Sequence, residues 1–397
     1  MKKKLVFVIP NLGAGGAEKS LVTLLNTIDY SLYEVDLILF EKSGLFLNLL
    51  PKEVVVLDLP LDCQLFSKKL IASCFQFLVR FKWSLLWCRI LFFLQYRIRK
   101  NQAVAEQRAW RYFSKSIGLL SNEYDAAIGF LEKSSNYFVV ECVAATTKIG
   151  FIHNDYYQLQ LNSDFDLNYF QKLDYIVTVS DQCKVSLQEV FPQLKNKIKI
   201  VRNIVSPALI HKMASEKITD LSTNKPILIS VGRLHPQKGF DIAIEAASII
   251  KKTGMEFTWL VIGEGLERSK LENQIVEKGL QDDFVLLGVR ANPYPYLKKA
   301  TIVVQPSRYE GKSIALDEAK ILHKPIVTTN FTTAIDQIYH NQNGIIAEMN
   351  PESLANGIIK LLQQPNLQHQ FSSYLSQEQF GTEDEIFKLY KLLDSKI

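Results

Sequence analysis

Pairing is what the cysteines lack. Five of them (Cys63, Cys74, Cys88, Cys142 and Cys183) are scattered over 397 residues, with no C-x-x-C spacing and no paired histidines nearby. That argues against a disulfide framework or a zinc site and for reduced thiols in a cytosolic compartment. A secretion signal is not the expected reading of the N-terminal stretch. MKKKLVFVIP imitates one, but its apolar run stops at Pro10 after about six residues, short of the usual hydrophobic region, so it reads as the first strand of a fold. Fixed-period repeats and low-complexity tracts are missing too. The composition, 47% hydrophobic and 22% charged, is globular, and the length allows two separate cores.

Acid is nearly absent from one stretch. Between Cys63 and Ser116 there are eleven Lys or Arg (among them Arg80, Lys82, Arg89, Arg97, Lys100, Arg108 and Arg111) against Glu106 alone, so this segment carries +10 and the remainder −5 of the net +5. Its apolar residues are cut by charges into pieces short of the ~18 that a membrane span needs. Arg89, Lys100 and Arg111 are eleven apart, as are Arg97 and Arg108, which puts several cations on one side of a helix. Trp83, Trp87 and Trp110 also fall here. A cationic, aromatic-rich amphipathic helix suits an anionic membrane surface; the bland alternative is a buried helical insertion with a basic solvated rim. Nucleic acid is disfavoured, because the cations are interleaved with aliphatic bulk.

Elsewhere short β-rich runs alternate with helical patterns. The first half offers KLVFVIP, VDLILF, VVVLDL, DAAIGF, TKIGFIH and YIVTVS, and the second PILISVG, FTWLVIG, VLLGV, TIVVQ, PIVTT and GIIAE. DIAIEAASIIKK, LERSKLENQIVEK and SIALDEAKIL are helical by pattern. Alternation of this kind predicts parallel, doubly wound sheets. Two such sets predict two Rossmann-like domains, α/β in class, with a seam between Asn203 and Lys225 where SEKITDLSTNK interrupts the apolar pattern. The final EDEIFKLYKLLD reads as a helix crossing back to the first domain.

Several motifs then bear on chemistry. RYEGKSIALDEA contains GKS, yet a P-loop needs a glycine where Pro306 stands, and proline has no N–H to offer a phosphate. What remains is strand, turn and helix start, a place for an anion. NLGAGGAE has Gly13, Gly15 and Gly16 but Glu18 in place of the third glycine of a dinucleotide fingerprint, so it is either a phosphate or sugar cradle or a tight βα turn. Arg233 and Lys238, five apart in a loop after a strand, clamp a diphosphate or are solvated loop cations. The DFD of Asp164 to Asp166 has loop or helix-start flanks, not the strand a metal-binding D-x-D wants, so no metal is expected.

GRLHPQKG, VIGEG, LLGV and the pair Glu310 and Glu318, in this order and spacing from about Lys225 to Leu362, resemble the second domain of retaining GT-B glycosyltransferases of family 4; NLGAGGAE, FIHND and TVSDQ resemble the first half more loosely. The resemblance implies a GT-B fold with two Rossmann-like domains facing a central cleft. On that reading 1–205 is the acceptor-side domain with 63–116 as a helical membrane-associating insertion, 206–375 binds the nucleotide sugar, and 376–397 returns to the first domain. It further implies Glu318 on the ribose, Glu310 orienting the donor sugar beside the N–H groups of Gly311, Lys312 and Ser313, and Arg233 and Lys238 on the diphosphate. Val289 and Arg290 would lie near the base, Gly15 and Gly16 beneath the phosphates, and His153 against the donor sugar. Many relatives carry an apolar or small residue where this chain has Lys312, so that side chain either adds charge to the phosphate site or points to solvent.

The implied activity is metal-independent transfer of a hexose or N-acetylhexosamine from a UDP-linked donor, as co-substrate rather than cofactor, to a lipid-linked saccharide. The implied location is cytoplasmic, at the inner face of the cell membrane. Rival readings are a UDP-sugar epimerase of GT-B-like fold and a non-catalytic scaffold of a glycan-assembly complex.

Overall fold

The computed structural model describes residues 2–13, 15–98, 101–221 and 223–394. Two wholly parallel sheets organise it. The first takes β1 (Lys3–Ile9), β2 (Tyr33–Leu39), β3 (Val54–Leu57), β4 (Glu123–Gly129), β5 (Ala144–Ile152), β6 (Tyr175–Thr178) and β7 (Ile198–Ile200) in the order β3-β2-β1-β4-β5-β6-β7. The second takes β8 (Ile227–Val231), β9 (Thr258–Ile262), β10 (Phe284–Gly288), β11 (Ile302–Gln305), β12 (Ile326–Thr329) and β13 (Gly344–Ala347) in the order β10-β9-β8-β11-β12-β13. Both are the doubly wound pattern, reversing direction between β1 and β4 and between β8 and β11. This is the GT-B class of fold. The strands are rich in Val and Ile because helices cover both faces of each sheet, leaving little of a central strand for water.

By contact the chain divides into two units, one of Met1–Gly13, Leu24–Arg202 and Asp384–Ile397, the other of Ala14–Thr23 and Asn203–Glu383. The segment that opens the first helix thus groups with the second sheet, and the helix Glu385–Asp394 with the first. In that first unit Tyr390 stacks on Tyr33 at 5.0 Å and its hydroxyl accepts the Asp29 N–H at 2.8 Å.

The basic stretch is not one helix. Among the described residues it forms four, Leu61–Phe66, Leu70–Val79, Trp83–Ile98 and Gln102–Phe113. Arg97 and Arg108 therefore sit on different helices, as do Arg89 and Arg111, and Lys100 lies outside the described residues. Arg89 turns inward, 9% exposed, donates to the Lys68 carbonyl at 3.0 Å and lies over the rings of Phe66 and Phe92. The expected cationic side of a single helix is corrected accordingly: an eleven-residue spacing aligns residues only while the helix continues. Trp110 is also interior, its indole donating to Glu141 at 2.9 Å. The DFD occupies the first turn of helix Ser163–Phe170, where buried Asp166 accepts from Tyr137, Tyr156 and Gln107. Burial raises its pKa, so this carboxyl serves an internal hydrogen-bond network.

All five cysteines are free thiols, and burial pushes Cys63, Cys142 and Cys183 up to about 12. These three behave as small apolar core residues, while Cys74 and Cys88 are partly exposed.

In the second unit one polar thread crosses the sheet at its reversal point. The Trp259 indole on β9 donates to Ser230 Oγ on β8 at 3.0 Å, and that hydroxyl donates to the Val304 carbonyl on β11 at 2.7 Å. Trp259 is fully buried and packs on Phe284 at 5.2 Å. Trp259→Ala removes both the packing and the donor and should cost about 3–5 kcal/mol of stability, read as a lower urea midpoint. Trp259→Phe should cost clearly less.

Candidate functional site

Two loops leave the second sheet where its strand order reverses, one after β8 and one after β11. Their approach depends on Gly239, whose φ of +66° is left-handed and whose Cβ, if present, would lie 2.0 Å from the Pro306 carbonyl oxygen. Side chains then lace the loops. Arg308 grips Asp241 with two hydrogen bonds of 2.9 and 2.7 Å and donates to the Pro236 carbonyl at 2.7 Å. The Gln237 side chain donates to the Tyr309 carbonyl at 2.9 Å while its backbone carbonyl accepts the Arg308 N–H at 2.7 Å.

That lacing brings Lys238 to Glu310. Lys238 Nζ lies 2.5 Å from Glu310 Oε1, which also accepts from Ser307 Oγ at 2.7 Å and Gln305 Nε2 at 3.1 Å. Glu310 is only 6% exposed, so three donors on one oxygen offset the cost of burying its charge. Arg233 stands exposed in the first loop. His235 has a lowered pKa, from burial first and then from the neighbouring Arg233 and Lys238 cations, with Glu267 opposing them.

Lys312 does neither of the things its sequence position suggested. Its side chain is largely covered and paired with Asp317 at 2.9 Å, and Lys320 pairs with the same carboxylate at 2.9 Å. Burial alone would raise Asp317, but the two lysines hold it down at about 2. Ser313 stands at the N-cap position of the helix Ile314–Ile321 without a side-chain capping bond, and its N–H donates to Gln337 Oε1 at 2.8 Å. The expectation that this N–H faces a sugar is therefore corrected, because an internal amide already satisfies it. Gly311 and Lys312 lie in the turn leading to that cap.

Glu318, buried within the same helix, accepts from the Tyr294 hydroxyl at 3.1 Å and is ion-paired with Lys19, whose ammonium lies 4.4 Å above the Tyr294 ring. A small pocket beside the pair is lined by Lys19, Ser20, Tyr294, Ile314 and Glu318. Gly16 reaches Ile314 there, a Cβ on it falling 3.6 Å from Ile314 Cδ1. Over Gly15 lies the Glu18 carboxylate, 1.9 Å from where a Cβ would be, so an acid covers the glycine expected beneath phosphates. Arg290, beyond β10, is held by the Leu287 carbonyl at 2.6 Å, Tyr296 at 3.1 Å and Asp220 at 3.1 Å, with Val289 partly buried beside it.

His153 belongs to the first unit, just past β5. It is 7% exposed, packs between Phe130 at 4.9 Å and Phe151 at 5.6 Å, and donates its backbone N–H to Glu132 at 3.3 Å. Sequence reading missed Gln305, Ser307, Arg308, Asp241, Gln337, Tyr294 and Lys19. Polar Gln305 and Ser307 at the end of an otherwise apolar strand were a usable signal; the Arg308–Asp241 pair, 67 residues apart, had none.

Residues 212–377 match the family described as Glycosyl transferases group 1. An uncharacterized glycosyltransferase of Methanocaldococcus jannaschii is 25% identical over 261 residues, 57% of this chain and 64% of that protein. The N-acetylgalactosamine-N,N'-diacetylbacillosaminyl-diphospho-undecaprenol 4-alpha-N-acetylgalactosaminyltransferase of Campylobacter jejuni is 22% identical over 94% of this chain and 93% of its own length. The chain spans between about a third and two thirds of the first curated relatives it matches. In architecture, the Anabaena HepE crystal structure with UDP-glucose superposes with a TM-score of 0.67 at 16% identity, covering 99% of this chain and 100% of that one.

The Asp317 pairs give a pH dependence with a definite sign. A carboxyl held at about 2, against 3.8 when free, stabilises the fold above about pH 4 and loses that contribution as pH falls through 4 towards 2. Asp317→Asn should lower stability at pH 7 and flatten this part of the acid-unfolding curve, followed by circular dichroism.

Proposed function

We propose, taking as premise that this chain belongs to the group 1 glycosyl transferases, that it moves a hexose or N-acetylhexosamine from a UDP-linked donor to a lipid-linked saccharide with retention at the anomeric carbon. The observation that carries the reading is the Lys238–Glu310 couple at the carboxyl ends of β8 and β11, with Arg233 exposed in the same loop. Ligands of open parallel sheets collect where the strand order reverses, and here that place holds two cations for a diphosphate and one carboxylate for sugar hydroxyls.

The roles follow from charge. As the bond between the anomeric carbon and the diphosphate oxygen breaks, negative charge grows on the leaving UDP, and Arg233 and Lys238 stabilise it. The acceptor hydroxyl oxygen bonds to the anomeric carbon on the same face, and its proton passes to an oxygen of the departing diphosphate. Glu310, already bound by Lys238, Ser307 and Gln305, acts as an acceptor that orients the sugar, not as a nucleophile. Glu318 holds the ribose, sharing its carboxylate with Tyr294 and Lys19. Val289 and Arg290 near the base, the Gly311–Lys312 turn near the sugar, Gly15 and Gly16 at the phosphates and His153 at the donor sugar complete the reading. The acceptor class draws support from the Campylobacter relative, whose name specifies a diphospho-undecaprenol substrate. Such an acceptor would bring the chain to the inner face of the cell membrane as a peripheral protein.

A panel of UDP- and GDP-sugars with a detergent-dispersed lipid-linked saccharide extract tests this by nucleoside diphosphate release. One UDP-sugar should give acceptor-dependent release, reduced about 100-fold or more in kcat by Lys238→Ala and by Glu310→Ala. Sugar-nucleotide conversion without acceptor would move the assignment to an epimerase. Glu318→Ala should weaken UDP binding about tenfold or more by calorimetry while leaving the fold intact; unchanged affinity would remove the ribose role.

A further inference from the structure

Two helices of the basic segment expose the face that helices in water normally bury. On Leu70–Val79, Ile71, Phe75, Leu78 and Val79 recur at i, i+4, i+7 and i+8, and all are exposed, Ile71 by 85%, while Ser73 and Phe77 point inward. On Trp83–Ile98 the stripe of Trp83, Trp87, Leu91, Leu94 and Ile98 keeps the same helical spacing and is also exposed, while Arg89 is buried. Phe81, in the turn joining the helices, is 79% exposed. Eleven of the 25 exposed large apolar side chains among the described residues lie between 71 and 98, a concentration in one short segment rather than the usual scatter.

Cations surround it. Lys68, Lys69, Arg80 and Arg97 are exposed. The nearby acids are engaged elsewhere, Asp62 with Lys82 and Glu106 with Lys133. A second copy seated on this face by two-fold symmetry would set these cations against their own kind. An anionic lipid surface matches both the charge and the apolar area. Neither helix is long and apolar enough to cross a bilayer, and the longer, at 16 residues, extends only about 24 Å.

We infer that helices Leu70–Val79 and Trp83–Ile98 form a docking face that lies in the headgroup boundary of an anionic bilayer, the exposed stripes towards the acyl chains and the four cations at the lipid phosphates. This rests on the membrane side of the function proposed above and names its surface. Tryptophan suits that depth, since its ring is apolar and its N–H remains wet.

Vesicle binding of the whole protein tests it. Because Trp110 and Trp259 are buried, a blue shift in tryptophan emission on adding vesicles reports Trp83 and Trp87. Vesicles of phosphatidylglycerol and phosphatidylcholine at 0.1 M salt should co-sediment the protein and give that shift; pure phosphatidylcholine, or 0.5 M salt, should bind it much less. Trp83→Ala/Trp87→Ala should weaken partitioning about tenfold or more, and Lys69→Glu/Arg80→Glu should remove the preference for anionic lipid. No binding to either vesicle by monodisperse protein would overturn the inference. So would a dimer in sedimentation velocity that the tryptophan variant dissolves, since a second copy would then cover the face. Transfer with detergent-dispersed acceptor should be unchanged in both variants; vesicle binding without any transfer would sink the enzymatic reading alone.

Discussion

A buried carboxylate must be given partners, and the ligand-facing end of the second sheet is arranged around that demand at Glu310. An ionised Glu taken out of water costs several kcal/mol unless opposite charge and hydrogen bonds replace the lost hydration. Here the replacement is Lys238, Ser307 and Gln305 on one oxygen. For Lys238 to be within reach, the loops after β8 and β11 must touch, which in turn needs Gly239 at left-handed φ and the Arg308–Asp241 fork. The ion pair is thus an outcome of backbone geometry several residues away, and breaking the fork would be felt at Glu310 without touching it.

The same constraint recurs one helix further on. Asp317 and Glu318 are adjacent, both buried, and face different partners: Lys312 and Lys320 for one, Tyr294 and Lys19 for the other. Successive helical residues point about 100° apart, so a pair of neighbouring acids can serve two networks. One fastens the helix start; the other is placed beside a pocket. Lys312 looked like an addition to an anion site because sequence shows a cation next to a glycine turn, but it is spent on neutralising Asp317.

The helices between Leu61 and Phe113 obey a different rule. Interior positions of a helix in water are expected to be apolar, yet here Arg89 is interior and Trp87 is not. The arginine is tolerated because its guanidinium stacks over Phe66 and Phe92 and donates to a backbone carbonyl. Such inversion makes sense for a surface whose working surroundings are themselves apolar.

Twelve of the thirteen strands among the described residues, all but the three-residue β7, were readable from the chain because short runs of Val, Ile and Leu are both the signal and the cause: side chains buried on both faces of a parallel sheet must be apolar. The motif set around GRLHPQKG and RYEGKSIALDEA likewise located the loops at the reversal point, since turn chemistry is local. Four helices in place of one, the inward turn of Arg89, the capture of the Ser313 N–H by Gln337 and the pairing of Lys312 were decided only in three dimensions. The inward Arg89 and the captured Ser313 N–H depend on partners more than 20 residues away, the four helices on where each one stops, and Lys312 on how its side chain folds back onto Asp317, and periodicity carries no information about any of these. Sequence by itself determined which residues are strands and which loops carry charge; the tertiary structure alone decided which of those charges are already satisfied, because satisfaction is a property of distance and burial.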